Sequence, residues 1–335
     1  MTDPIPVALS AGARSHGTRT RSVLRFISKF GTLIAMALLI VYFSFAAPNF
    51  AFLSGSNLLQ ILNQSTLTAI IASGLTLVLV VGEFDLSIGY TASFTGVLVT
   101  GLIGNQGVPI AVAIVISLLA GAAVGIANGL LVTKAGVNAV VATLGVGTIV
   151  VGLEFGYNSG TPVLQLPAAF GNLTLSRFLG IPNSIWFMVV VLGALWLMLN
   201  RTPLGQRIQA VGANKTAARY AGIRADRAKI WTFVIAGLCA AITGILLASS
   251  LGSGTVSAGD GYLLNAFAAV FLGAATLRDG EFHIVGTFIG VILVNIGFNG
   301  LSLIGTPTFF QFLFQGGILV IAVALSTVAR KYARA

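Results

Sequence analysis

Charged side chains are scarce in this chain. Asp, Glu, Lys and Arg make up 8% of its 335 residues, whereas soluble domains average about 25%. Hydrophobic residues reach 56%, and the mean hydropathy is +0.99. A soluble helical bundle with so apolar a surface would aggregate. The composition therefore excludes an ordinary soluble protein and predicts an all-α polytopic membrane protein.

Sulfur and imidazole groups are nearly absent as well. The single cysteine, Cys239, cannot form an internal disulfide, and its apolar neighbours favour packing over chemistry. It is far in sequence from His16 and His283, so these three residues predict no metal site. The sequence contains no nucleophile–base pattern and no G-x-x-x-x-G-K-[ST] phosphate loop. We therefore expect a chain that is not an enzyme and that binds no cofactor itself.

Long apolar stretches follow one another along the chain. A helix needs about 20 mainly apolar residues to cross the hydrocarbon core of a membrane. Charges, prolines and glycine-rich breaks delimit ten candidates, although the eighth is short. The predicted transmembrane helices are 30–46, 57–82, 86–104, 108–133, 139–158, 184–200, 228–251, 262–277, 284–304 and 308–328.

Basic residues are distributed unevenly between the two sides that ten spans define. Both termini fall on one side, together with 17 of the 18 Lys and Arg residues, which leaves only Arg177 on the other side. By the positive-inside rule the basic side is cytoplasmic. The predicted parts are a basic cytoplasmic arm (1–29), a transmembrane domain (30–328) with a cytoplasmic loop at 201–227 and an extracytoplasmic loop at 159–183, and a cytoplasmic tail (329–335). Because topology explains the net charge of +10, no nucleic-acid partner is expected.

The cytoplasmic loop at 201–227 reads RTPLGQRIQAVGANKTAARYAGIRADR. It contains a short helical pattern over 214–221, with Asn214 as the N-cap and Gly222 as the terminating residue. One interpretation is a short helix whose Lys215 and Arg219 touch lipid headgroups. A second interpretation comes from a resemblance: GANKTAARYAGI is similar to the coupling loop of ABC-importer permeases, although Thr216 stands where many of them have Glu.

The segment VGEFDLSIG at 81–89 resembles the GGIDLSVG signature of ribose-type permease subunits. It keeps the DLS triplet and the last glycine, whereas Glu83 and Phe84 stand where glycine and isoleucine are usual. Blocks at 128–145 and 259–293 resemble the same family in the same order. From residue 57 to the C-terminus, the chain is identified by this resemblance as a ribose-type (monosaccharide) ABC-importer permease subunit of the branched-chain amino acid/sugar permease superfamily.

The resemblance implies a translocation path for a monosaccharide or a similar small polyhydroxyl solute, in a bacterial cytoplasmic membrane. It implies three partners: a cytoplasmic ABC ATPase subunit that holds ATP and Mg, an extracytoplasmic solute-binding protein, and a second permease copy or a related permease. The solute itself, and the choice between a homodimer and a heterodimer, stay open. The predicted ATPase-coupling residues are Asn214, Thr216, Ala217, Ala218, Arg219 and Gly222.

An ion-coupled secondary transporter of a small polar solute is the alternative. Such carriers tend to keep ionisable residues inside their spans. Apart from Glu83 and Asp85, the only carboxylate within a predicted span is Glu154, and no Lys, Arg or His lies inside a confident span as its partner. Ion coupling is therefore the less favoured interpretation.

A neutral polyhydroxyl solute needs hydrogen-bond donors and acceptors along its path rather than net charge. Amide and hydroxyl side chains within the predicted spans are the candidates, although such groups often bond neighbouring helices instead. The candidate path-lining residues are Asn63, Gln64, Thr66, Asn128, Thr143, Asn265, Asn295 and Asn299.

The predicted topology places Glu83 and Asp85 at the cytoplasmic turn between the second and third spans. A third span that begins at Leu86 would have Asp85 as its N-cap. The alternative is that this turn belongs to an inner gate or contacts the ATPase. The candidate gate residues are Glu83, Asp85, Ser87 and Gly89.

Glycines recur at four-residue spacing in two predicted spans. Gly121, Gly125 and Gly129 form one such series, and Gly286 and Gly290 form another. The spacing predicts surfaces on which a second helix approaches closely.

Overall fold

The computed structural model describes residues 15–164, 166–274 and 280–333. Over these residues the chain forms thirteen α-helices, one 3-10 helix and a two-stranded antiparallel sheet. The α-helices are α1 (Ser15–Ala46), α2 (Gly55–Val80), α3 (Ile88–Gly104), α4 (Ile110–Thr133), α5 (Ala139–Asn158), α6 (Ala168–Leu175), α7 (Asn183–Arg201), α8 (Pro203–Ala213), α9 (Lys215–Tyr220), α10 (Ala225–Leu251), α11 (Gly261–Ala274), α12 (Ile284–Leu303) and α13 (Phe309–Ala333). The 3-10 helix is Pro48–Leu53, and the strands are β1 (Arg177–Phe178) and β2 (Ile181–Pro182). The first 14 residues of the predicted arm, the end of the predicted eighth span and the last two residues of the tail lie outside the described residues.

Six of the described helices are long and apolar enough to cross a membrane, namely α2, α4, α5, α7, α10 and α12. Four shorter apolar helical stretches are Phe30–Ala46, Ile88–Gly104, Gly261–Ala274 and Phe309–Ile321. These ten segments lie at the positions of the ten predicted spans. The helical, apolar architecture is therefore confirmed, and the number of crossings stays a prediction.

The first helix begins earlier than the predicted span. α1 starts at Ser15, whereas the predicted basic arm reaches residue 29. Between Thr18 and Phe30 the sequence contains neither Gly nor Pro, the two residues that most strongly interrupt a helix. The main chain therefore continues as one helix into the apolar segment.

Helix α10 lies at the centre of the bundle, packed against α2, α3 and α4. The predicted glycine surface of α4 explains how closely two of these helices approach. A Cβ atom on Gly121 would meet the main chain of Gly237, and a Cβ atom on Gly125 would meet the main chain of Phe233. In the same way Gly290 of α12 faces the main chain of Ala269 in α11. Both glycine series therefore serve helix packing, as predicted.

A non-helical segment, residues 252–260, connects α10 to α11 and packs along α3 through its two buried glycines, Gly254 and Gly259. Gly254 packs against Thr100, and the N–H group of Gly259 donates to Ser93 Oγ at 2.8 Å. A Cβ atom on Gly89 would lie only 3.2 Å from the carbonyl oxygen of Gly259. The part of α3 from Gly89 to Thr100 is about 16 Å long. The segment therefore follows α3 over a distance equal to roughly half the thickness of a bilayer core.

Candidate functional site

A polar cavity of about 440 Å3 opens at the end of the bundle where α2 begins. It lies between α2, α6, α7, α10, α11, α12 and α13, and amide and hydroxyl groups dominate its lining. The polar lining residues are Asn63, Gln64, Thr66, Thr68, Thr174, Ser184, Ser250, Tyr262, Asn265, Asn295, Asn299, Ser302 and Gln311. Within the described part of the chain, no Asp, Glu, Lys, Arg or His lines this cavity. The cavity is thus suited to a neutral solute that carries several hydroxyl groups.

Six of the eight amide and hydroxyl positions put forward for the path meet in this polar cavity, although they come from three different helices. They are Asn63, Gln64, Thr66, Asn265, Asn295 and Asn299. Cross-helix bonds orient two of these side chains. The Ser184 hydroxyl donates to Asn63 Oδ1 at 2.5 Å, and the Gln315 amide donates to Asn265 Oδ1 at 2.8 Å. The two interpretations of these residues, helix contact and cavity lining, therefore hold at once.

The structure places Asn128 and Thr143 elsewhere, beside residues 81–87, which we call the signature turn. The Asn128 amide donates to Ser87 Oγ at 2.8 Å, and the N–H group of Leu86 donates to Thr143 Oγ1 at 3.0 Å. Both side chains are fully buried. They hold the signature turn against α4 and α5. The residue types alone did not predict this role.

Asp85 is not the N-cap of α3. The helix begins at Ile88 rather than at Leu86, and Ser87 occupies the cap position without a side-chain cap bond. Asp85 Oδ1 instead accepts from the N–H group of Ser87 at 2.9 Å and from Ser87 Oγ at 2.6 Å. This is the local turn that Asp forms with the main chain two residues on, and it delays the helix start. Burial raises the pKa of Asp85 to about 6, although the bonds from Ser87 oppose the rise.

Glu83 forms an ion pair with Lys229 of α10. The side chains are 16% and 9% exposed, respectively, so the pair is largely withdrawn from water. Lys229 is one of the 17 basic residues that the sequence assigns to the cytoplasmic side, and the sequence predicts no basic partner within a span. That expectation is wrong, because Lys229 lies in the second turn of α10, where its main chain is already helical and its side chain reaches the signature turn.

Residues 201–227, which we call the coupling segment, form two short helices. α9 has the predicted caps: Asn214 Oδ1 accepts from the N–H group of Ala217 at 3.0 Å. At the other end Gly222 has φ +78°, and the N–H groups of Gly222 and Ile223 each donate at 3.0 Å to carbonyls of the last turn. This is a Schellman termination. α8 was not foreseen; Thr202 caps it by accepting from the N–H group of Gly205 at 3.2 Å.

α9 presents most of its surface to the outside. Ala218 is buried and anchors the helix, whereas Thr216, Ala217 and Arg219 are exposed. Tyr220 is 90% exposed, which is unusual for a large aromatic side chain in a position fixed by capped ends. Exposed aromatic residues on a rigid element are typical of protein interfaces. Tyr220 is not among the residues predicted for coupling, because no cap or spacing pattern marks it.

Basic side chains surround α9. A cavity of about 510 Å3 between α8 and α10 is lined by Arg207, Arg224, Arg227 and Trp231. Arg219 and Asp226 form an exposed ion pair with 3.6 Å between their charged atoms. The coupling segment is thus a positively charged surface that suits an acidic partner.

Aromatic rings continue from the signature turn into α11. The Phe84 ring stacks on Phe267 with 6.3 Å between centroids, and Phe267 stacks on Phe271 at 6.2 Å. Phe271 meets Phe282 edge to face at 5.6 Å. Because Tyr262 and Asn265 of the same helix line the polar cavity, α11 joins the signature turn to that cavity.

Glu154 of α5 supports the non-helical segment 252–260. Its carboxylate is fully buried, and Oε1 accepts from the N–H group of Ser257 at 3.3 Å. Ser257 has φ +62°, in the left-handed region. Main-chain groups that leave a helix inside a membrane protein need such a partner. This contact assigns a structural role to Glu154, the carboxylate near the outer end of the fifth predicted span.

Comparison with known proteins finds a matching family and similar proteins over most of the chain. The model of the family described as "Branched-chain amino acid transport system / permease component" matches residues 57–323. The ribose import permease protein RbsC of Escherichia coli K12 is 37% identical over 296 residues, which cover 87% of this chain and 91% of RbsC. RbsC of Bacillus subtilis is 38% identical over 301 residues (89% and 92%), and the L-arabinose ABC transporter permease protein AraH of Azospirillum brasilense is 34% identical over 334 residues (100% and 96%).

Proposed function

Because this chain belongs to the family of permease components of branched-chain amino acid transport systems, we propose that it forms the translocation path by which an ABC importer takes up a monosaccharide or a similar small polyhydroxyl solute. It is a transport subunit and not an enzyme. The polar cavity carries the proposal for the solute class. Its lining offers many amide and hydroxyl groups and no charged side chain among the described residues, which matches the hydrogen-bonding needs of a neutral sugar. Relatives named for ribose and L-arabinose support the same class.

We further propose ten membrane crossings with both termini in the cytoplasm of a bacterial cell. The basic coupling segment and the signature turn then lie on the cytoplasmic side, by the positive-inside rule. The polar cavity lies at the opposite end of the bundle, since it contains the first residues of α2 and α7 and the last turns of α10 and α12. A solute would thus enter the cavity from the extracytoplasmic side, where an extracytoplasmic solute-binding protein would deliver it.

The partner on the cytoplasmic side would be an ATPase subunit, which would hold the ATP and Mg. Its proposed docking element is α9, with Asn214, Thr216, Ala217, Ala218, Arg219 and Gly222 as the coupling residues. Support comes from the capped ends of α9, its exposed surface and the arginines around it. A rigid element of this kind can transmit a movement of the partner to the rest of the chain without first folding.

A second permease subunit would complete the membrane core. Helices α4, α5, α7 and α13 carry large exposed apolar side chains, such as Leu119, Ile149, Val190 and Phe312. In this proposal these faces divide between lipid and the second subunit, a copy of this chain or a related permease. Both surroundings are compatible with an apolar face.

Reconstitution tests the proposal directly. The chain is assembled in proteoliposomes with its ATPase and solute-binding subunits, and uptake of radiolabelled ribose and L-arabinose is measured with and without ATP. ATP-driven uptake of either sugar, inhibited by the unlabelled form, is the expected result. Uptake driven by an ion gradient without the ATPase subunit would instead identify a secondary transporter.

Gly222→Val tests the docking element. The φ of +78° is strained for a β-branched residue, so the last turn of α9 should lose its termination, although no heavy atom of the described residues lies within 4 Å of the added Cβ. ATP-driven uptake should fall while ATP hydrolysis and membrane insertion persist. The control is Gly252→Val, which has φ +64° and is equally unobstructed, but lies at the other end of α10. Equal uptake by the Gly222→Val variant and the unaltered chain would refute docking through α9.

A further inference from the structure

The Glu83–Lys229 ion pair joins two segments that are far apart in sequence. Glu83 is fixed on the signature turn, where its N–H group donates to the carbonyl of Val78 at 2.9 Å. Lys229 is fixed on α10, which begins three residues after the end of the α9 termination at Gly222. Both side chains are mostly buried. The pair is therefore a fixed bridge and not a loose surface contact.

The coupling segment reaches this bridge at two points. Lys215, the first residue of α9, lies close enough that the charge of Lys229 is the main cause lowering the pKa of Lys215, while Glu83 raises it. At Gly212, in the last turn of α8, a Cβ atom would overlap the carbonyl oxygen of Val80. The main chain just before α9 therefore packs directly on the main chain just before the signature turn.

The bridge is also connected to α11, through the residue that follows Glu83. Phe84 follows Glu83 directly and stacks on Phe267 of α11 at 6.3 Å, with 22° between the ring planes. α11 supplies Tyr262 and Asn265 to the polar cavity. A continuous series of contacts thus runs from α9 through the ion pair and the Phe84 ring to the cavity lining.

We infer that Glu83 and Lys229 are positioning residues that transmit the movement of the coupling segment to the signature turn and, through Phe84, to α11. The inference rests on the proposed function, because it needs an ATPase that moves α9. A buried ion pair resists separation, since a charge left alone away from water is strongly unfavourable. When the start of α10 shifts, the signature turn therefore shifts with it. Glu83 stands where the resembled signature has glycine.

Substitution of the pair tests the inference in the reconstituted complex of permease, ATPase and solute-binding subunits. Glu83→Gln and Lys229→Gln should each lower the uptake of ribose or L-arabinose per ATP hydrolysed by about tenfold, the usual size of a coupling effect. ATP hydrolysis itself should persist. The reversed pair, E83K with K229E, should restore much of the ratio, because it remakes the bridge with opposite polarity. Thr148→Ala, which removes an exposed hydrogen bond within α5, should leave the ratio unchanged.

These outcomes separate coupling from mere stabilisation. A purely structural role would lower the amount of assembled complex and its thermal stability, but would leave the uptake per ATP of the remaining complexes unchanged. An unchanged uptake per ATP would therefore overturn the inference. If the unaltered chain and Thr148→Ala show no ATP-driven uptake of any sugar, the proposed function fails first. If they transport and the two single variants transport with the same ratio, only the inference fails.

A spectroscopic measurement decides the matter even if the single variants do not assemble. The chain has one cysteine, Cys239, which is buried, so a Cys239→Ala background accepts spin labels at chosen sites. Labels are placed as two pairs, Thr216→Cys with Val141→Cys and Leu264→Cys with Val141→Cys, on exposed residues of α9, α11 and α5. Trapping the ATPase with ATP should change both distances. A change at α9 without a change at α11 would overturn the inference.

Discussion

The pH dependence of stability at Asp85 follows from its burial in the signature turn. The pKa of this carboxyl rises from 3.8 to about 6 on folding. Each pKa unit corresponds to about 1.4 kcal/mol, so the folded chain disfavours the ionised carboxylate by about 3 kcal/mol. Between these two pH values the folded state binds more protons than the unfolded state. The stability contributed by Asp85 is therefore fully present below pH 3.8 and is lost as the pH rises through about 6.

Asp85→Asn should remove this dependence. The Asn side chain keeps an oxygen that can accept from the N–H and Oγ groups of Ser87, and it carries no charge at any pH. The free energy of unfolding of the variant, minus that of the unaltered chain, should increase by about 2 kcal/mol between pH 4 and pH 7. The measurement is an unfolding titration in detergent micelles at several pH values.

Thr148→Ala is the matched control, because it removes an exposed hydrogen bond within α5 and no titratable group. Its difference from the unaltered chain should stay nearly constant over the same pH range. A flat profile for Asp85→Asn would refute the reasoning from burial. The opposite slope would show that a positive group stabilises the Asp85 carboxylate. The expected ATP-driven uptake of Asp85→Asn is near that of the unaltered chain, and its loss at unchanged stability would place the charge itself in the gate.

Two further substitutions probe the polar cavity and the helix packing. Asn295→Asp introduces a charge among uncharged lining groups and should lower ribose or L-arabinose uptake by about tenfold or more. The control is Asn200→Asp, which lies in α7 outside the cavity. Equal loss of uptake in both variants would argue against the cavity as the path. Gly237→Ala places a Cβ atom on the main chain of Gly121 and should reduce the free energy of unfolding by about 1–3 kcal/mol. Gly145→Ala in α5, where no atom lies within 4 Å of the added Cβ, should leave stability equal or slightly higher, and a similar loss in both variants would contradict the packing interpretation.

Local signals in the sequence predicted local structure well. The caps of α9 could be read from Asn214 and Gly222, because an N-cap and a C-terminal glycine act on main-chain groups within a few residues. The close approach of α4 to α10 could be read from Gly121 and Gly125. Each of these features is encoded within a single helix, or within the turn at its end.

The contacts that the sequence did not predict are mostly between residues that are distant in sequence. Glu83 and Lys229 are 146 residues apart, and no periodicity indicates that they meet. Asn128 and Asn295 are the same residue type in similar apolar surroundings, but one supports the signature turn and the other lines the cavity. Only the tertiary arrangement of helices separates these two uses. The start of α3 was misplaced for a local reason, since Asp85 can satisfy either a helix end or a two-residue turn.

The non-helical segment 252–260 separates α10 from α11 mechanically. A continuous helix would have to bend or break its own hydrogen bonds if its two halves changed their relative tilt. Here the segment itself is held in place, because the N–H groups of Gly259 and Ser257 donate to Ser93 Oγ and Glu154 Oε1, and each α-helix keeps its own hydrogen bonds. The break therefore allows α11 to change its tilt relative to α10 without the loss of a helical hydrogen bond.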